Sequence, residues 1–259
     1  MMKYSLEVGA RTVDDAVAAW RGGAQRVELY VSPTEGALTP SCGFVQEAVA
    51  ARCRLGMDLG LYAMLRPRAG DFLYNQSEFS ILLRDAELLS AAGADGFMLG
   101  ILKEDGALDV ARMKEVIRRC QGKTFTLHRA FEAVNDPVRV LEEAVDLGIR
   151  YVFIGGPSPY GRWNGEAIPD LLRQAAGRIT PVIAIGPSCR NEDLPGLLES
   201  TGVTDYHIIN GFRKRLSEMK FAWGKDPDDT EGLRRSLGSI EYLEEAAVRE
   251  VREVFDRYE

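Results

Sequence analysis

The chain has 259 residues, 46% hydrophobic and 27% charged, which suits one large α/β domain or two small ones. A net charge of −7 argues against a nucleic-acid surface, and no apolar run reaches the ~18 residues of a membrane-spanning helix. The start, MMKYSLEVGA, lacks the charged and apolar regions of a secretory signal. The cysteines Cys42, Cys53, Cys120 and Cys189 are scattered with no CxxC pair, so reduced thiols in a cytoplasmic protein are expected.

Along the chain one phrase recurs: GGAQRVELYV, AGADGFMLGI, LGIRYVFIGG and TGVTDYHIIN. In each, a glycine ends an amphipathic stretch and a β-rich run follows, the helix-to-strand half of a βα unit. Strands are predicted at about 4–9, 26–31, 60–66, 96–102, 124–130, 151–156, 181–186 and 205–210. Helices are predicted at about 12–22, 41–54, 77–92, 109–120, 137–147, 165–178, 191–199 and 240–257. Eight alternating units predict a single (β/α)8 TIM barrel spanning 1–259; an open doubly wound sheet is the alternative, without a GxGxxG after the first strand to support it. One long irregular loop is expected at about 211–239, before the last helix, as a lid or an oligomer contact.

Side chains alternate between the two faces of a strand, so the residues between the helix-facing apolar ones point to the barrel axis. By that rule Glu7, Glu28, Tyr30, Tyr62, Met64, Arg66, His128 and His207 face inward, with Thr126 beside His128. Barrel interiors are usually Val, Ile and Leu, and active sites lie at the C-terminal mouth. Two glutamates, an arginine and the chain's two histidines on the axis therefore predict a functional pocket; a self-neutralising network of Glu7, Glu28 and Arg66 is the structural alternative. His128 with one of Glu7 or Glu28 is the expected proton-transfer pair.

The following loops add Arg68 and Asp71 in RPRAGDF, and Arg129 just after His128, as candidate substrate-binding residues. In TEGALTPS, Glu35 lies on the mouth side, and Thr39 or Ser41 reads as a helix cap. GPSCRNED and the run Arg213, Lys214, Arg215 occupy the places where barrels often bind phosphate, although a solvated basic face is the simpler reading.

The stretches RVELYV, EGALTPS, LRPRAGDFLY, DGFMLGILKEDGALD and TLHRAFEAVNDP together resemble the CutC copper homeostasis family, closely over the first 137 residues. The resemblance implies a cytoplasmic, usually dimeric TIM barrel associated with copper tolerance, with mouth residues at Glu7, Glu28, Arg66, Arg68, Asp71, His128 and Arg129. Family members proposed to bind copper carry cysteines where this chain has Gly9 and Tyr30. Cu(I) selects sulfur donors, so losing both thiolates should remove most of the affinity. Cys53 and Cys120 read as buried small residues toward the other end of the barrel, and Cys42 and Cys189 as separated positions on the mouth side. Three expectations follow. One is a copper-handling protein. Another is an acid–base enzyme (lyase, isomerase or hydrolase) acting on a small polyhydroxylated or carbonyl substrate, with a divalent Mn²⁺ or Zn²⁺ as an option for the Glu and His side chains. A barrel that binds without turnover is the third possibility.

Overall fold

The computed structural model describes residues 4–155, 168–185, 191–209, 211–219 and 238–259. Eight parallel strands close in sequence order: β1 (Ser5–Ala10), β2 (Arg26–Leu29), β3 (Gly60–Met64), β4 (Gly96–Leu99), β5 (Thr124–Leu127), β6 (Tyr151–Gly155), β7 (Thr180–Ile185) and β8 (Asp205–Ile208). Between them run α1 (Val13–Arg21), α2 (Cys42–Leu55), α3 (Gln76–Ala91), α4 (Val110–Arg119), α5 (Pro137–Asp146), α6 (Ile168–Ala175) and α7 (Leu194–Thr201), with α8 (Glu245–Asp256) last. This is the expected (β/α)8 barrel. Closure brings Glu7 of β1 into register with His207 of β8.

The glycines of the recurring phrase behave as read. Gly23, Gly93, Gly148 and Gly202 all take φ between 64° and 102°, a left-handed conformation that a Cβ would disfavour. Ser41 caps α2 by accepting the Phe44 N–H at 3.1 Å. Thr39 does not cap; its hydroxyl accepts the Arg66 N–H at 2.9 Å and ties the β2–α2 loop to the end of β3.

Two apolar layers separate as the alternation requires. Leu6, Val8, Val27, Leu29, Leu61, Ala63, Leu65, Phe125, Leu127, Tyr206 and Ile208 pack outward against the helices. Tyr30, Tyr62, Met64, Met98, Phe153 and Val182 form a smaller cluster on the axis. Near the N-terminal end of the barrel, buried Arg252 of α8 donates to the Tyr4 carbonyl at 2.8 Å and anchors the entry to β1.

Three local expectations are corrected. The segment 240–243 is strand rather than helix: β10 (Ser239–Leu243) pairs antiparallel with β9 (Phe212–Leu216), so the long loop begins and ends in a two-stranded hairpin. Residues 220–237 of that loop lie outside the described residues. Cys53 is exposed rather than buried, because it falls on the solvent face of α2, whereas Cys120 is buried as expected. The sequence also places Cys42 in the loop after β2, although the predicted helix 41–54 contains it; Cys42 is the first residue of α2, and Cys189 lies outside the described residues.

Candidate functional site

A column of charged side chains runs up one side of the axis. At its base, Arg26 of β2 places Nη1 3.0 Å from Asp205 Oδ1 of β8 and Nε 3.1 Å from Glu7 Oε2 of β1. Tyr151 of β6 lies against the guanidinium, whose carbon is 4.3 Å from the ring centroid. One layer higher, His207 sits between both glutamates: Nδ1 is 2.9 Å from Glu7 Oε1 and Nε2 is 3.2 Å from Glu28 Oε2. All five groups are at most 8% exposed, so the chain Asp205–Arg26–Glu7–His207–Glu28 is a buried alternation of charge. Unpaired, any one of these charges would cost several kcal/mol; each neighbour offsets the next.

The electrostatics follow from that order. Burial alone would raise Glu7, but the His207 hydrogen bond and the Arg26 charge override it and hold the carboxyl below its usual range. Burial works against a charged His207, yet the Glu7 hydrogen bond and the two carboxylates push it up, toward imidazolium. Glu28 lies at the mouth end of the column. Burial raises it, only partly opposed by His207 and reinforced by Glu7, to about 7. The column thus ends in a carboxyl that exchanges its proton near neutral pH.

His128 occupies a different wall. It is 1% exposed, follows Thr126 on the axis face of β5, and lies against Phe72 with ring centroids 5.0 Å apart. Nδ1 accepts the Ala130 N–H at 3.1 Å. Burial, then the Arg66 and Arg129 charges, hold the ring well below its usual range, at about 3. The expected pairing of His128 with a glutamate is therefore not what the hydrogen bonds show. His207 takes both carboxylates, because the closing strand β8 is adjacent to β1 whereas β5 lies on the far side of the barrel.

Arg66 is also reassigned. Its Nη1 donates to the carbonyls of Glu35 (2.9 Å), Gly36 (2.6 Å) and Ala37 (3.3 Å), and Nη2 donates to the Gly70 carbonyl at 2.6 Å. It staples two mouth loops and does not neutralise Glu7 or Glu28; Arg26 does that for Glu7. Ala37 and Ser32 take positive φ in the stapled loop, a conformation non-glycine residues rarely adopt. Arg68 and Asp71 pair with each other at 2.8 Å on the rim, and Arg68 also binds Glu78 at 2.7 Å. Arg129 is 57% exposed with Glu132 at 3.9 Å, leaving its guanidinium at the mouth. Arg213, Lys214 and Arg215 face Glu244, Glu241 and Glu218 across or beside the β9–β10 hairpin, a solvated salt-bridged surface. Of GPSCRNED, residues 186–190 lie outside the described residues.

Arg26 and Asp205 escape the sequence reading, although the alternation that places Glu28 and His207 also places the residues two earlier on the axis. Both stand at the first position of a strand, where the pattern has no preceding apolar residue to mark it.

The donor chemistry fits a metal poorly. Both nitrogens of His207 face carboxyl oxygens, and Nδ1 of His128 spends its lone pair on a backbone N–H, so neither ring offers a free lone pair from these positions. Among the described residues no group of three or more His, Cys, Asp or Glu could hold a metal ion. Gly9 and Tyr30, which stand where copper-binding family members carry cysteines, are neighbours. A Cβ on Gly9 would lie 2.9 Å from the Tyr30 ring, which fills that room. Met64 and Met98 are register partners on the axis, but in the apolar cluster and without a thiolate. Copper and the Mn²⁺ or Zn²⁺ option therefore find no ligand set among the described residues.

Comparison with known proteins places these features. The sequence pattern described as the CutC family matches residues 4–211. A family protein CutC of Bacteroides thetaiotaomicron is 35% identical over 221 residues, 85% of this chain and 86% of that relative. The human copper homeostasis protein cutC homolog is 35% identical over 218 residues, 84% of this chain and 77% of its own length. The crystal structure of CutC from Streptococcus agalactiae superposes with a TM-score of 0.71 at 26% identity, covering 79% of this chain and 98% of that one.

Proposed function

Because the chain belongs to the CutC family, we propose that it shares the copper-homeostasis role its relatives are named for, and exercises it through acid–base chemistry on a small ligand rather than by holding Cu(I). The observation that carries this reading is the orientation of His207, whose two nitrogens are both committed to carboxylates. An imidazole so placed relays or stores a proton; it does not ligate a soft metal.

Glu28 is the group that meets the ligand. Its value of about 7 lets it take a proton from carbon or oxygen and return it at neutral pH. His207 behind it stabilises the carboxylate form, while Glu7 and Arg26 fix the ring in place. This chemistry suits a lyase or isomerase working beside a carbonyl, or a hydrolase activating water, on a small polyhydroxylated or carbonyl compound. Arg68, Asp71 and Arg129 supply the polar rim. No helix of the described residues is long and apolar enough to cross a membrane. A cytoplasmic homodimer, implied by the resemblance, belongs to the same proposal, and sedimentation at the 28.7 kDa of one chain would remove it.

A copper-sensitive strain lacking its own family member provides the test. The wild-type chain should restore copper tolerance and Glu28→Gln should not, while Cu(I) titration against a competing chelator should show no site tighter than micromolar. Tight Cu(I) binding, or full complementation by Glu28→Gln, would overturn the reading.

A further inference from the structure

Across the axis from β1, the wall formed by β3, β4 and β5 holds three buried polar atoms with no hydrogen-bond partner among the described residues: His128 Nε2, Arg66 Nε and Thr126 Oγ1. We propose that this wall is a carboxylate-binding subsite, in which His128 and Arg66 donate to the anionic oxygens of a small organic acid presented to Glu28. Binding stands on the geometry of the wall; only the approach of the bound acid to Glu28 rests on the acid–base reading above.

The tautomer comes first. His128 Nδ1 accepts the Ala130 N–H at 3.1 Å, so a neutral ring must carry its proton on Nε2. That nitrogen is then a donor. A buried donor left unpaired costs about 1–3 kcal/mol, and three such atoms on one wall call for a partner that a ligand's oxygens would supply. Gly100 of the β4 end keeps the ring seated: a Cβ there would lie 2.6 Å from His128 Cε1 and 2.5 Å from the Ala130 Cβ.

Phe72 joins the two main donors. Its ring lies 5.0 Å from the His128 centroid and 5.2 Å from the Arg66 guanidinium carbon, so both donors flank one half-buried aromatic surface. Arg66 is itself 6% exposed and pinned by four loop carbonyls, which fixes its Nε direction. The charge is right for an anion. Arg66 and Arg129 act together against a cation at His128, and Arg129 also acts on Glu28, so its exposed guanidinium lies within electrostatic reach of both walls. Because burial and these cations keep His128 neutral, it serves as a hydrogen-bond donor and not as a general acid. The roles divide accordingly: His128 and Arg66 bind, Glu28 moves the proton.

With only two histidines in the chain, nitrogen-15 labelling of histidine gives one set of ring signals for each site. His128 should appear as the Nε2–H tautomer. Pyruvate should shift its ring nitrogens in a saturable titration, and the neutral pyruvamide should not. His128→Phe should weaken pyruvate binding by roughly tenfold to a hundredfold, the loss of a charge-assisted hydrogen bond. Thr126→Val, which keeps the ring and the strand shape, should weaken it severalfold and guards against a misfolded His128→Phe. Glu28→Gln, which removes the proton-transfer group and neither donor of the wall, should keep a saturable His128 shift with pyruvate, so a failed proton-transfer site and a failed subsite give different results. A proton on Nδ1, an unmoved His128 signal, or equal shifts with pyruvamide would overturn the subsite.

Discussion

Glu28→Gln turns the charged column into a thermodynamic measurement. Burial holds the Glu28 carboxyl at about 7 against an ordinary 4.5, so between those values the folded state binds more protons than the unfolded chain. Stability contributed by that proton is fully present below pH 4.5 and is lost as pH rises through about 7. At 1.36 kcal/mol per pH unit, the 2.5-unit interval (7 − 4.5) is worth up to about 3 kcal/mol. The amide of the variant cannot ionise and escapes the loss. For a chain of this size each kcal/mol moves the melting temperature by roughly 2–4 °C, so the variant should gain roughly 6–12 °C on the wild type between pH 4.5 and pH 8. Using the difference between the two proteins matters. His128, held at about 3 by burial and Arg66, pulls the other way: its neutral form is stable at pH 7 and loses stability as pH falls below 6.5. That trend is common to both proteins and cancels. Parallel thermal melts across the range, followed by circular dichroism, are sufficient. A difference that stays flat with pH would show that Glu28 is ionised throughout, and the proton-exchange role would go with it.

Other perturbations have equally direct readouts. Arg26→Met leaves Glu7 and Asp205 without their cation and should cost about 3–5 kcal/mol in urea melts, whereas Arg68→Met on the rim should cost under about 1 kcal/mol. Equal losses would mean the buried column is not a coupled unit. Gly9→Ala alone should destabilise by about 1–3 kcal/mol through its clash with the Tyr30 ring, and adding Tyr30→Ala should recover part of that loss, a coupling a double-mutant cycle measures. The paired change Gly9→Cys with Tyr30→Cys should create Cu(I) binding tighter than micromolar where the wild type has none; no gain would detach copper affinity from these two positions.

Much of this site is legible in the sequence. Period-two alternation puts Glu7, Glu28, His128 and His207 on the axis because each strand is flanked by outward apolar residues, and a one-residue slip would reverse every one of them. The pairing is not legible. Glu7 and His207 are 200 residues apart, and only closure of β8 onto β1 makes them neighbours. Arg66 is misread for a related reason: its partners are loop carbonyls, whose positions depend on backbone turns such as the positive φ of Ala37 that no alternation rule encodes. The start of the last helix fails because β10 owes its extended shape to β9, a partner more than twenty residues upstream.

The salt-bridged foot of the column has one more consequence. Arg26 and Asp205 are 7% and 8% exposed and Glu28 is 4% exposed, so both ends of the column are nearly closed to solvent. Hydrons on the enclosed imidazole must leave by one of these two ends. A ligand that settles on the upper acid closes one of them, and the lengthened lifetime of the labile hydrogens on His207 becomes a clock for how long that ligand stays.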